Sequence, residues 1–174
     1  DKIINFNHKE NKFIDFNIDR LIPEMISNEG PALSLSDINN DGIDDFFVGG
    51  AKFQNSKLFI SHDNKYIVDS LVFSKNRNSE DVASIFFDAD GDSDKDLYVC
   101  SGGRAFSNND IALKDRIYLN DGKGNFKYND NILPKDFFIN SSSVTHSDFN
   151  NDGLQDLFVG QRTKTRNYGL PGSG

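Results

Sequence analysis

Three stretches of the chain set oxygen-bearing side chains at alternating positions: Asp37, Asn39, Asp41 and Asp45; Asp88, Asp90, Asp92 and Asp96; Asp148, Asn150, Asp152 and Asp156. Counted from each first aspartate these are positions 1, 3, 5 and 9. Hard oxygen donors at that spacing around a tight turn suit Ca²⁺, and the position-7 carbonyl (Ile43, Asp94, Leu154) offers a further oxygen. Glycine stands at position 6 in two loops, Gly42 and Gly153, where a sharp turn is needed, and Ser93 replaces it in the second. Position 12 is Val48, Val99 or Val159 where an EF-hand places its closing Glu, so the ninth residue has to close the cage. Mg²⁺ retains its waters too firmly for such a multi-carboxylate loop, and zinc would find no His or Cys in it. About three structural Ca²⁺ ions are therefore expected. The plainer reading is that Asp and Asn only cap turns, yet three copies in register with a shared apolar tail argue against it.

Loops of this kind need strands to hold them. The three segments align without gaps, starting 51 and 60 residues apart, each with a small or apolar stretch before it and an apolar strand after it. A second signal recurs downstream: Arg116-Ile-Tyr-Leu-Asn-Asp-Gly-Lys-Gly-Asn-Phe126 reads as a hairpin around residues that tolerate positive φ, with weaker copies at 57–66 and 3–13. The repeating unit is strand, Asp loop, strand, connector, strand, tight turn, strand. Four antiparallel strands per 50–60 residues predict an all-β chain of propeller blades. Residues 1–16 are expected as the outer hairpin of one blade, 31–69 and 82–128 as two further blades, and 142–174 as the start of the next. About three blades fall short of a closed ring, so the chain is expected to be part of a larger propeller.

Composition agrees. The 174 residues include 23 Asp, 21 Asn and 14 Gly but only 4 Glu, a turn-forming set, and 16 Phe supply strand residues. The formal charge of −8 disfavours nucleic acid as a partner, and no apolar run is long enough to insert in a membrane. The lone Cys100, within Leu97-Tyr-Val-Cys100, reads as a small core residue.

These repeats resemble the FG-GAP repeat of integrin α-subunits and the related bacterial VCBS repeats, through the three Asp loops and the Asn120-Asp-Gly-Lys-Gly-Asn-Phe126 hairpin. Residues 156–162 and Tyr168-Gly-Leu-Pro171 are similar to bacterial proteins that pair such repeats with an ASPIC/UnbV module. The resemblance implies a β-propeller, commonly seven-bladed, with structural Ca²⁺ in the loops between first and second strands, in a secreted, periplasmic or cell-surface protein.

Three functions compete: a calcium-binding interaction module, a propeller domain of a polysaccharide-active enzyme, and an architectural spacer. The first is favoured and catalysis is not expected. Of three histidines, His8 and His62 fall in hairpin turns expected to be exposed. Thr145-His146-Ser147-Asp148 cannot form a triad, because neighbours on a strand point to opposite faces. A protein or glycan partner is expected on the face opposite the Ca²⁺ loops. Candidate contacts are residues 101–114, with Arg104 and Phe106, and residues 161–168, with Arg162, Arg166 and Tyr168.

Overall fold

The computed structural model describes residues 4–28, 30–63, 65–162 and 164. Its ten strands form two four-stranded antiparallel sheets and a two-stranded one, with no α-helix among the described residues. The first sheet is β1 (Leu33–Ser36), β2 (Asp45–Val48), β3 (Lys57–His62) and β4 (Lys65–Asp69), side by side in chain order. The second repeats that order with β5 (Asp81–Phe87), β6 (Asp96–Ser101), β7 (Arg116–Leu119) and β8 (Lys127–Asn129), and β9 (Ser141–Ser147) pairs with β10 (Asp156–Gln161). Each four-stranded meander has the form of a propeller blade. Each Asp loop joins the first strand of its sheet to the second.

Strand patterns follow from how many faces are covered. The second sheet lies between the other two, so every residue of β6 is buried and Leu97, Tyr98, Val99 and Cys100 form an unbroken apolar run. Val99 and Leu97 face the first sheet, and Phe47 and Leu58 of that sheet, Phe73 of the connector and Tyr118 of β7 close a core whose rings meet edge to face, Phe47–Phe73 at 5.3 Å and Phe73–Tyr118 at 4.9 Å. Tyr98 and Cys100 face the other way, toward Val144, Leu157 and Val159. β9 and β10, covered on one side only, alternate, and Phe158 stays exposed. Two glycines let the sheets approach: a Cβ on Gly49 would sit 2.6 Å from that of Asp81, and one on Gly102 would sit 2.6 Å from the Ser141 carbonyl oxygen.

Three expectations fail. The hairpin read over 1–16 is not formed among its described residues; 4–14 carry no strand and Asp15–Asn17 is a 3₁₀ turn. The segment's apolar residues do not alternate against a partner strand. Instead residues 4–28 run as a strap over the end of the sheets opposite the Asp loops. Gln54 holds it by accepting from Lys9 N (3.1 Å) and donating to Asn7 O (2.7 Å), and the strap's own Ile22 is buried. Consequently His8 is not exposed: its side chain is 15% accessible and its Nε2 lies 2.6 Å from Glu10 Oε1. Arg104 and Phe106 are not free surface either. Arg104 is buried in an ion pair with the strap's Asp19, and Phe106 packs with Ala112 and Leu113.

Candidate metal centre

The three Asp loops share one backbone design. Positions 4 and 6 both adopt left-handed conformations: Asn40 and Gly42 at φ 59° and 81°, Gly91 and Ser93 at 83° and 75°, Asn151 and Gly153 at 59° and 87°. Ser93 therefore takes up the sixth-position turn itself, and the second loop places its glycine at position 4. The position-1 carboxylate fastens the turn. Asp37 accepts from Asp41 N (3.1 Å) and Gly42 N (2.8 Å), Asp88 from Gly91 N (2.7 Å) and Ser93 N (2.9 Å), Asp148 from Asp152 N (3.1 Å) and Gly153 N (3.0 Å). At position 5, Asp41, Asp92 and Asp152 each accept from the N–H two residues on, at 2.8 to 2.9 Å, that of Ile43, Asp94 and Leu154 respectively.

The ninth aspartate ties loop to sheet. Its Oδ2 accepts from the position-2 N–H in every copy: Asp45 from Ile38 at 3.0 Å, Asp96 from Ala89 at 2.8 Å, Asp156 from Phe149 at 2.9 Å. In the complete sheets Oδ1 also accepts from the third strand or its end, Asp45 from Ser61 N at 2.5 Å and Asp96 from Asn120 N at 2.8 Å. Asp45 and Asp96 are accordingly fully buried, while Asp156, beside no third strand among the described residues, is exposed.

Convergence differs between loops. Ligand atoms of Asp88, Asp90 and Asp96 all lie within 4.8 Å of one another. Oxygens on opposite sides of a Ca²⁺ at 2.3–2.6 Å stand about 5 Å apart, so this trio has the span that ion requires. The crowding shows in the acids: burial, and then the charges of Asp92 and Asp88, raise Asp90, and burial pushes Asp96 up to about 6 against its backbone hydrogen bonds. Burial likewise raises Asp45. In the other loops position 3 is an amide that turns a donor inward, Asn39 Nδ2 to Asp41 Oδ2 at 3.3 Å and Asn150 Nδ2 to Asp152 Oδ2 at 2.9 Å. Bonds from Leu154 N and then Asn150 hold Asp152 below the usual carboxylate range. Position-7 residues Ile43 and Leu154 are exposed, and Asp94 is half-buried against Gly122.

Among the described residues, Thr145, His146 and Ser147 do not converge. His146 Nδ1 lies 2.7 Å from Gln155 Oε1, and its neighbours Thr145 and Ser147 lie on the opposite face of β9. Arg166 and Tyr168 lie outside the described residues, and Arg162, which is exposed, engages Asn140 through its backbone. What sequence reasoning missed is the buried Glu80, whose carboxylate has no hydrogen-bond partner among the described residues; only its place just before a strand start hinted at it.

Residues 88–159 match the family model of the FG-GAP-like repeat, a span that begins on Asp88 and includes the second and third Asp loops. No curated protein matches the chain.

Proposed function

We propose that the chain is a calcium-binding interaction module of an exported or cell-surface protein, in which Ca²⁺ in the Asp loops holds propeller blades in register. One observation carries this reading: the convergence of Asp88, Asp90 and Asp96 at the foot of a sheet inside the FG-GAP-like repeat. The all-oxygen donor set favours Ca²⁺, and loops of moderate affinity fill where Ca²⁺ is millimolar, which is outside the cytoplasm. The first and third loops share the turn geometry and would bind with Asn39 and Asn150 as neutral oxygen ligands. No catalysis is assigned. A bacterial, ASPIC/UnbV-associated source belongs to the same reading and rests on residues 156–162 and 168–171 of the sequence. A partner would meet the face opposite the loops. There Lys9, Lys12 and Phe53 stay accessible where Arg104 and Phe106 do not.

The test is thermal unfolding of chelated protein against titrated Ca²⁺, with Mg²⁺ as control. Each site held 100-fold above its dissociation constant adds about 2.7 kcal/mol. A Ca²⁺-specific rise of many degrees that shrinks in D90N supports the reading. No rise, or an equal one with Mg²⁺, overturns it.

A further inference from the structure

At the end of the first sheet opposite its Asp loop, the β2–β3 connector and the strap flank an open groove of about 430 Å³, a volume typical of small-ligand sites. Lys9 and Lys12 line it from the strap, Lys52 and Phe53 from the connector. Gln54 pins the two walls together, since its side chain accepts from Lys9 N, 45 residues away in the chain, and donates to Asn7 O. Phe53 stands there at φ 72°. The other non-glycine residues with positive φ among the described residues are Asn, Asp or Ser, short polar side chains that tolerate it. The turn is held by Phe53 N donating to Arg77 O at 2.7 Å and Gln54 N donating to Ala51 O at 2.8 Å. Packing of the ring does not account for it, because Phe53 is 59% exposed. Backbone strain kept at an exposed aromatic residue points to a ligand contact.

The charge of the groove runs against that of the chain. The formal total is −8, yet three lysines and one acid line this surface. That acid, Glu10, has its Oε1 on His8 Nε2 at 2.6 Å and its Oε2 buried. Lys52 is partly committed, donating to Ala105 O at 3.1 Å and lying over the Phe106 ring at 4.2 Å. Lys9 and Lys12 are exposed and form no ion pair among the described residues. Two uncompensated ammonium groups beside an exposed ring suit an anion that also carries an apolar face. A peptide would be held along its main chain, but the N–H groups of Lys9, Phe53 and Gln54 all donate within the protein. A nucleobase edge would need a free carboxamide oxygen, and those of Gln54 and Asn11 accept from Lys9 N and Phe13 N. A sugar acid needs neither, because its polarised C–H face meets the electron-rich face of a phenyl ring while its carboxylate meets the lysines.

We propose that this groove binds a carboxylated saccharide, with a pyranose face on the Phe53 ring and the carboxylate held by Lys9 and Lys12. This rests on the reading that a partner meets the face opposite the Asp loops, and it gives that partner a chemical class. Because the groove shares no residue with the Asp loops, sugar binding here needs no Ca²⁺. Attraction between exposed charges is screened by salt, so affinity falls as ionic strength rises.

The experiment titrates trigalacturonate into the full chain by calorimetry, in millimolar Ca²⁺ and again in chelator. Its methyl ester, which keeps the rings and loses the charge, and triglutamate, which keeps the charge and loses the rings, are titrated beside it. The expected result is one site per chain, of similar affinity with and without Ca²⁺, and at least about tenfold weaker binding of the ester and of the peptide. K9Q/K12Q and F53G should each weaken trigalacturonate by at least about tenfold. F53G stays folded, because glycine takes up a φ of 72° freely. Absence of trigalacturonate binding, equal binding of the ester or the peptide, or affinity unchanged in both variants overturns the proposal. Binding seen only with Ca²⁺ puts the sugar at the Asp loops and overturns it as well. A Ca²⁺-specific rise in thermal stability without saccharide binding refutes this groove alone and leaves the role of the loops standing.

Discussion

Replacing the ninth aspartate of each loop by alanine, in chelator, separates its architectural work from any metal. Asp96 is fully buried and takes the N–H groups of Ala89 and Asn120, both at 2.8 Å. D96A strands two donors at about 1–3 kcal/mol each, or about 2–6 kcal/mol together. Relief of a buried charge offsets part of this. A carboxyl pushed up to about 6 carries about 3 kcal/mol of ionisation penalty at pH 7, so the net change runs from about 1 kcal/mol of gain to about 3 kcal/mol of loss. D45A should behave alike, since Asp45 is equally buried and holds Ile38 N and Ser61 N. Asp156 is exposed and holds only Phe149 N, so D156A should cost less than about 1 kcal/mol. Urea unfolding of the three variants, read by tyrosine fluorescence at pH 7, gives the series directly. If D156A is more damaging than both D96A and D45A, the ninth aspartate is not a loop-to-strand clamp.

Three further outcomes are expected. R104A leaves Asp19 buried without its partner and should cost about 3–5 kcal/mol, with residues 4–28 becoming the first site of limited proteolysis. G102A forces a Cβ to 2.6 Å from Ser141 O and 2.8 Å from Val82 Cγ1, so chemical denaturation should show a loss of about 1–3 kcal/mol. Burial pushes Asp115 up to about 6 despite hydrogen bonds from Ser101 N, Ser141 Oγ and Tyr98 Oη. Because its folded pKa exceeds the unfolded value near 4, the folded state keeps the proton longer. Its contribution is full below pH 4 and is lost as pH rises to about 6, a fall of about 3 kcal/mol. D115N should flatten that part of the stability–pH curve, and an unchanged slope would refute the assignment.

The Asp-loop turns and the sheet order were legible in the chain because both are local. Alternating oxygens at positions 1, 3, 5 and 9 specify a turn within nine residues, and apolar runs beside them specify strands of four to seven. Pairing in chain order then follows from short connections. The hairpin over 1–16 misread the same kind of signal, since Ile3 to Phe13 has the residues of a strand pair but no neighbour to pair with among the described residues.

What the sequence by itself determined is therefore an all-β chain of repeated Asp-loop units with an acidic, turn-forming composition. Only the tertiary structure decided which acids meet. It brought Asp88, Asp90 and Asp96 together while giving Asn39 and Asn150 inward donors, and it buried Asp96 yet exposed Asp156 according to whether a third strand lies alongside. It also folded the strap back to set Asp19 against Arg104, 85 residues further along the chain. Burial and long-range charge contact depend on where distant segments fold back, and no spacing along the chain encodes that distance.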